Sequence, residues 1–119
     1  MSTGAVIKGK IIFKDKASSF TGATLYAYLE DVSLADAASV VLGKYVERNV
    51  NFNGETSAFL SFKIEYKDID FRNRYEIRVH IDVDGDGEVS KGDFINMQSY
   101  PVITRGYPTD ISILIQQVT

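Results

Sequence analysis

The segment Asp82 to Asp93, DVDGDGEVSKGD, sets oxygen-bearing side chains at a regular spacing, and it carries the strongest chemical signal in the chain. Against the EF-hand pattern D-x-[DN]-x-[DN]-G-x5-E, Asp82, Asp84 and Asp86 take the first, third and fifth places and Gly87 the sixth. Glu88 falls where a backbone carbonyl coordinates, Val89 where an apolar residue is usual, Ser90 where a water-mediated ligand sits, and Asp93 in the twelfth place. Every ligand place holds an oxygen donor. A hard cation such as Ca²⁺ takes about six to eight oxygens, and Gly87 permits the sharp turn that wraps a short loop around it. Asp82, Asp84, Asp86, Glu88 and Asp93 are therefore the expected metal residues, with calcium as the ion and magnesium as its competitor. Aspartate at the twelfth place, where glutamate is usual, has a shorter reach and weakens bidentate ligation.

Two other readings of the same residues carry less weight. Asp-Gly repeats make polar turns without any ion, but four aspartates within this short loop repel one another if no cation is present. The run HIDVDGDG also has the look of a strand-end phosphotransfer loop with a magnesium-bound nucleophile. That chemistry needs a doubly wound α/β scaffold with partner groups on other loops, and the chain has neither the helices nor the length. A small magnesium-dependent phosphotransferase or hydrolase is thus the weakest alternative. His80, the one histidine, is expected on the outward face of its strand as a surface residue without a paired serine or carboxylate. No phosphate-binding glycine loop, zinc spacing or nucleophile elbow is present. No catalytic residue is assigned, and a non-enzymatic role is expected.

The elements that must hold this loop alternate with a period of two. Ala5 to Phe13 places Ile7, Gly9, Ile11 and Phe13 on one face, and Ala23 to Asp31 does the same with Leu25, Ala27 and Leu29. Tyr26 and Tyr28 then stand on the polar face, as cross-strand packing or an exposed binding surface, with packing against a neighbouring loop favoured. The chain is extended from Val41 through Phe52. After the Asn53–Gly54–Glu55 turn comes the longest alternation, Ala58, Leu60, Phe62, Ile64 and Tyr66. Tyr75 to Ile81 precedes the acidic loop, with Ile69 six residues before Tyr75 suggesting a tyrosine corner. Phe94 to Tyr100 follows the loop, and Asp110 to Val118 closes the set. Pro101 and Pro108 bracket a loop before the last strand. A short helical turn fits Leu34 to Ala38. The expected fold is all-β: a single Ig-like, Greek-key β-sandwich of seven or eight strands spanning 1–119, its loop at 82–93 capping a hairpin.

Composition narrows the function classes. The 119 residues suffice for one domain, and 45% hydrophobic against 24% charged residues is an ordinary globular balance. With a net charge of −3 and no basic run, nucleic acid and anionic membrane surfaces are disfavoured as main partners. The absence of cysteine excludes disulfides, thiolate metal sites and a lipidated cysteine in this sequence. No apolar run approaches the roughly 20 residues of a spanning helix, and MSTGAVIKGKIIF does not read as a signal peptide. A cytoplasmic location is expected for the sequence as written, or a periplasmic or envelope one if a signal segment has been trimmed.

The order of VIKGKIIF, GATLYAYLEDVSLADAASVVLG, FKIEYKDIDFRNRYEIRVHI and QSYPVIT resembles the YscW family of type III secretion lipoprotein chaperones, which includes the YbaY-like lipoproteins. Its most specific parts are LEDVSLADAAS, Leu29 to Ser39, and YPVIT, Tyr100 to Thr104. The resemblance implies a small β-sandwich of the bacterial envelope without enzymatic activity. At least one member of that family assists outer-membrane assembly of a secretion-channel protein. The expected function is a protein-binding, chaperone-like module with a structural calcium hairpin, or alternatively a calcium-responsive binding module. The expected partner is another protein.

Overall fold

The computed structural model describes residues 5–14, 19–34, 38–54 and 59–119. Its strands are β1 (Ala5–Phe13), β2 (Phe20–Asp31), β3 (Val40–Phe52), β4 (Phe59–Tyr66), β5 (Tyr75–Asp82), β6 (Phe94–Asn96), β7 (Pro101–Val102) and β8 (Asp110–Gln117). The protein is all-β, and no helix occurs among the described residues. The helical turn expected over Leu34 to Ala38 falls on residues 35–37, which lie outside the described residues, as does the expected inward residue Ala58.

Hydrogen bonding runs through the order β3-β2-β5-β6-β8-β1-β4, with β7 on the edge of β5. The two layers of the sandwich, β3-β2-β5 and β8-β1-β4, are thus halves of one sheet folded over on itself. Three-residue β6 bridges them by pairing with both β5 and β8. β1 runs parallel to β8 and antiparallel to β4. The open ends of the sheet approach each other at Gly43 on β3, where a Cβ would sit 2.6 Å from Ile64 Cγ2 on β4. A side chain there would force the ends apart, so glycine gives the nearly closed, barrel-like outline.

Period-two alternation places the core. Ile7, Ile11, Leu25, Leu29, Ile77, Val79, Ile81, Ile113 and Ile115 are buried along the inner faces. At one end Phe13 stacks on Phe52 with centroids 3.8 Å apart and meets Phe94 edge-on at 5.2 Å. Such aromatic pairs add about 0.5–1.5 kcal/mol each beyond their burial. Tyr75 is buried, and its hydroxyl accepts the Asp70 N–H at 3.1 Å. The tyrosine corner therefore forms, tying the turn before β5 to the strand itself.

Asp31 and Ser33 from the first of the two family phrases, and Tyr100 and Thr104 from the second, meet at the same end of β5. Asp31 accepts bonds from the Ser33 N–H and hydroxyl and from Asn73 Nδ2, while the Arg74 N–H donates to Ser33 Oγ. Buried Thr104 donates its hydroxyl to the Asn73 carbonyl, and the Tyr100 carbonyl accepts the Ile77 N–H. The strand expected over Phe94 to Tyr100 stops at Asn96. There the side chain takes over a backbone role: Asn96 Oδ1 accepts the Val79 N–H at 2.8 Å. Pro101, expected to bracket the loop before the last strand, opens two-residue β7 against Tyr75 and Glu76 ahead of that loop.

Candidate functional site

The acidic loop is the tip of the β5–β6 hairpin. His80 pairs with Ile95 and Ile81 with Phe94, so Asp82 and Asp93 close the hairpin as its last facing pair. Alternation sends Ile81 and Phe94 into the core and His80, Asp82 and Asp93 to the outer face. Outer position does not mean exposure here, since the loop folds back over this end of β5. Asp82 is 2% exposed, Asp93 0% and His80 4%.

The expectation of an unpaired surface histidine is therefore wrong. His80 Nε2 lies 2.8 Å from Asp93 Oδ2, a diagonal contact between neighbouring strands. The signal was available in the sequence. Strand periodicity on both sides of a loop that starts at Asp82 and ends at Asp93 puts His80 and Asp93 on one face.

Both buried carboxylates are fully engaged. Asp82 Oδ1 and Oδ2 accept the Gly85 and Gly87 N–H groups at 3.0 and 2.8 Å. Asp93 Oδ1 accepts the Val83 N–H at 2.9 Å, and Oδ2 accepts the Ser90 N–H at 3.2 Å beside His80. Exposed Asp84 accepts the Ser90 hydroxyl at 2.9 Å, which holds its carboxyl below the ordinary aspartate range. Asp86 caps the Glu88 N–H. Gly85 and Gly87 take left-handed φ values of 74° and 79°, which lets their N–H groups turn in towards Asp82.

Four of the five expected metal residues converge. One carboxylate oxygen each from Asp82, Asp84, Asp86 and Asp93 lies within 4.8 Å of all the others, and His80, Asp82 and Asp93 form an overlapping group. Glu88 stands apart from both groups, in keeping with a place that ligates through its backbone. An all-oxygen set suits a hard cation. At both buried carboxylates a metal would compete with bonds already made, with the Gly85 and Gly87 amides at Asp82 and with His80 and the Ser90 amide at Asp93 Oδ2.

A second feature lies on the outer face of β3-β2-β5. Register sets Val46, Tyr26 and His80 in one row and Lys44, Tyr28 and Arg78 in the next. Tyr26 stacks on Tyr28 at 6.1 Å and on His80 at 5.9 Å, and the Arg78 guanidinium lies 4.3 Å from the Tyr28 ring centre. The tyrosines thus pack across strands, onto β5 rather than onto a loop. Arg78 also donates from Nε and Nη2 to Glu30 Oε2 at 3.0 and 2.8 Å. Desolvation raises the Tyr28 phenol above its ordinary range, with Arg78 working the other way. Val46, opposite Tyr26, is exposed, as are Val40, Val41 and Leu42 at the start of β3.

This arrangement has aromatic and aliphatic surface, a cation and an acidic hairpin, the means of a recognition surface. No helix among the described residues is long and apolar enough to cross a membrane. Comparison with curated proteins found no match. Among solved structures, the chain is similar to an alternative pilotin from the type II secretion system of Vibrio cholerae. That likeness has 27% identity, covers 98% of this chain and 99% of that one, and gives a TM-score of 0.79. A family model described as type III secretion system lipoprotein chaperone (YscW) matches residues 2–114, and the chain belongs to that family.

Proposed function

We propose that this protein is a non-enzymatic, chaperone-like module of the bacterial envelope that binds a secretion-channel protein and assists its assembly. The carrying observation is the end-to-end likeness to a pilotin within a family of secretion chaperones. The outer face of β3-β2-β5 supports it, since Val46, opposite Tyr26 in the register, stands exposed beside the Tyr26–Tyr28 stack. Aromatic rings held in place by cross-strand stacking offer contact area at low entropic cost, a property shared by binding hot spots. Calorimetry with the purified channel subunit tests the reading. Val46→Glu, which puts a charge in the exposed patch without touching the core, should weaken binding about tenfold or more. Absence of binding by the unaltered protein would refute the assignment.

The second reading concerns the hairpin tip, and the convergence of four carboxylate oxygens within 4.8 Å favours it. Asp82, Asp84 and Asp86, with the Glu88 carbonyl and Asp93, bind calcium as a staple on the hairpin, and magnesium competes. With strands rather than helices on both flanks, the loop has no helix pair to open, so binding raises stability without a large rearrangement. A calcium titration followed by amide shifts and melting temperature tests this. Shifts confined to 82–93 with a higher melting temperature support the staple, whereas shifts spreading over Tyr26 and Tyr28 favour the calcium-responsive module. Unmoved amides at millimolar calcium would remove the metal from the account.

A further inference from the structure

Between β6 and β7 the edge of β5 loses its strand neighbour. β6 pairs only with His80 and Ile81, and β7 only with Tyr75 and Glu76. Over the gap the chain swings out through Met97, Gln98 and Ser99, all exposed, and the backbone of β5 is served by the Tyr100 carbonyl and the Asn96 side chain. The split opens into a groove of about 330 Å³.

The charge in this groove does not balance. Glu30 and Glu76 both line it and stand directly opposite each other in the β2–β5 register. Like charges so placed repel. Arg78 serves Glu30 alone, and both of its hydrogen bonds go to Oε2. Among the described residues no ion pair reaches Glu76 and no hydrogen bond reaches Glu30 Oε1. Within the groove two carboxylates thus face one guanidinium, while Arg74 and Arg105 line a separate hollow that Glu76 also borders, and Glu30 is only 7% exposed. Val89, Ile95 and Met97 form an apolar wall beside them.

An apolar wall with one surplus negative charge matches a side chain that has an aliphatic stem and a cationic head. We infer that this groove receives a lysine or arginine side chain of the protein partner. The identity of the occupant rests on the protein-binding reading above. The stem lies along Val89, Ile95 and Met97, and the head completes the charge between Glu76 and Glu30 Oε1. A neutral or acidic side chain in the same place would leave the repulsion standing.

The test uses the whole chain, ¹⁵N-labelled, titrated with N-acetyl-arginine methylamide and N-acetyl-lysine methylamide, with N-acetyl-norleucine methylamide as uncharged control. Saturable shifts over 76–80 and 95–99 with a cationic probe are expected, and Glu76→Gln should weaken that binding about fivefold. Glu76 is on the outer face, so this variant keeps the core intact. Equal shifts with the norleucine probe, failure to saturate, or unchanged affinity in Glu76→Gln would overturn the inference. The same variant is then tried against the channel subunit. If the subunit binds and Glu76→Gln is without effect, the groove inference fails and the protein-binding reading stands. If the probes bind as expected but the subunit does not, the assignment of the partner fails and the cation groove stands.

Discussion

Gly9 on β1 faces Phe62 on β4 directly across an antiparallel pair, and the ring lies over the glycine. A Cβ at position 9 would collide with Cε2 and Cζ of that ring. Relaxation to an ordinary carbon–carbon contact asks the ring to move on the order of 1 Å. Phe62 is 3% exposed, and the space open to its ring is the groove of about 340 Å³ that it lines with Gly9 and Tyr45, so any swing trades core contacts for a partly solvated site. Overpacking of this kind costs about 1–3 kcal/mol, and expelling the ring altogether would forfeit a similar free energy, about 1.5–3 kcal/mol, through lost burial. Alanine returns about 0.5–1 kcal/mol through its lower backbone entropy in a strand. Gly9→Ala should therefore destabilise by about 1–2 kcal/mol net, a fall in melting temperature on the order of 5–10 °C for a domain of this size. Urea denaturation of Gly9→Ala, Phe62→Leu and the double variant checks the cause as well as the size. Leucine removes the colliding ring atoms, so the double variant should be more stable than the two single losses predict by about 1 kcal/mol or more. Additivity within about 0.5 kcal/mol would show that the ring and the glycine are not coupled, and the reasoning would fall.

Asp93→Ala should destabilise by about 2–4 kcal/mol in urea denaturation, because it strands the buried His80 ring and the Val83 N–H together. Tyr75→Phe keeps the buried ring but leaves the Asp70 N–H without its acceptor, a loss of about 0.5–1.5 kcal/mol in the same assay. The bonds from Ser33, then that from Asn73, hold the Asp31 carboxyl below its ordinary range. A group depressed on folding stabilises above its unfolded value and loses that contribution as pH falls through its folded one. The stability difference between the native protein and Asp31→Asn should accordingly be constant near neutrality and shrink below about pH 4. A difference that stays flat down to pH 2 would count against the Asp31–Ser33–Asn73 network.

The hairpin tip shows how far residue order reaches. The spacing of Asp82, Asp84, Asp86, Gly87 and Asp93 and the alternation on both flanks are local properties, and they already place a polar loop on a two-stranded tip. What Asp93 bonds to is not local in the same way. Its partner His80 lies 13 residues away, and they meet because the β5–β6 register makes them diagonal neighbours. The burial of His80 depends further on the loop folding back over the strand, which polarity alone argues against. Likewise the spacing of Ile69 and Tyr75 announces a corner, but the choice of the Asp70 N–H as donor comes from the turn that the Asp31 and Thr104 networks hold in place.

By itself the sequence determined the all-β class, the strands with their inward residues, the hairpin with its acidic tip, and the family through the phrases around Asp31 and Tyr100. Those follow from side-chain alternation and turn chemistry, which act over a few residues. Only the tertiary structure decided that one sheet folds over into both layers, that Tyr26 and Tyr28 pack against His80 and Arg78, and that Glu30 and Glu76 share a groove with a single arginine. Those depend on which strands become neighbours and in what register. Register is the outcome of burying every inner face at once, a condition on the whole chain and not on any stretch of it.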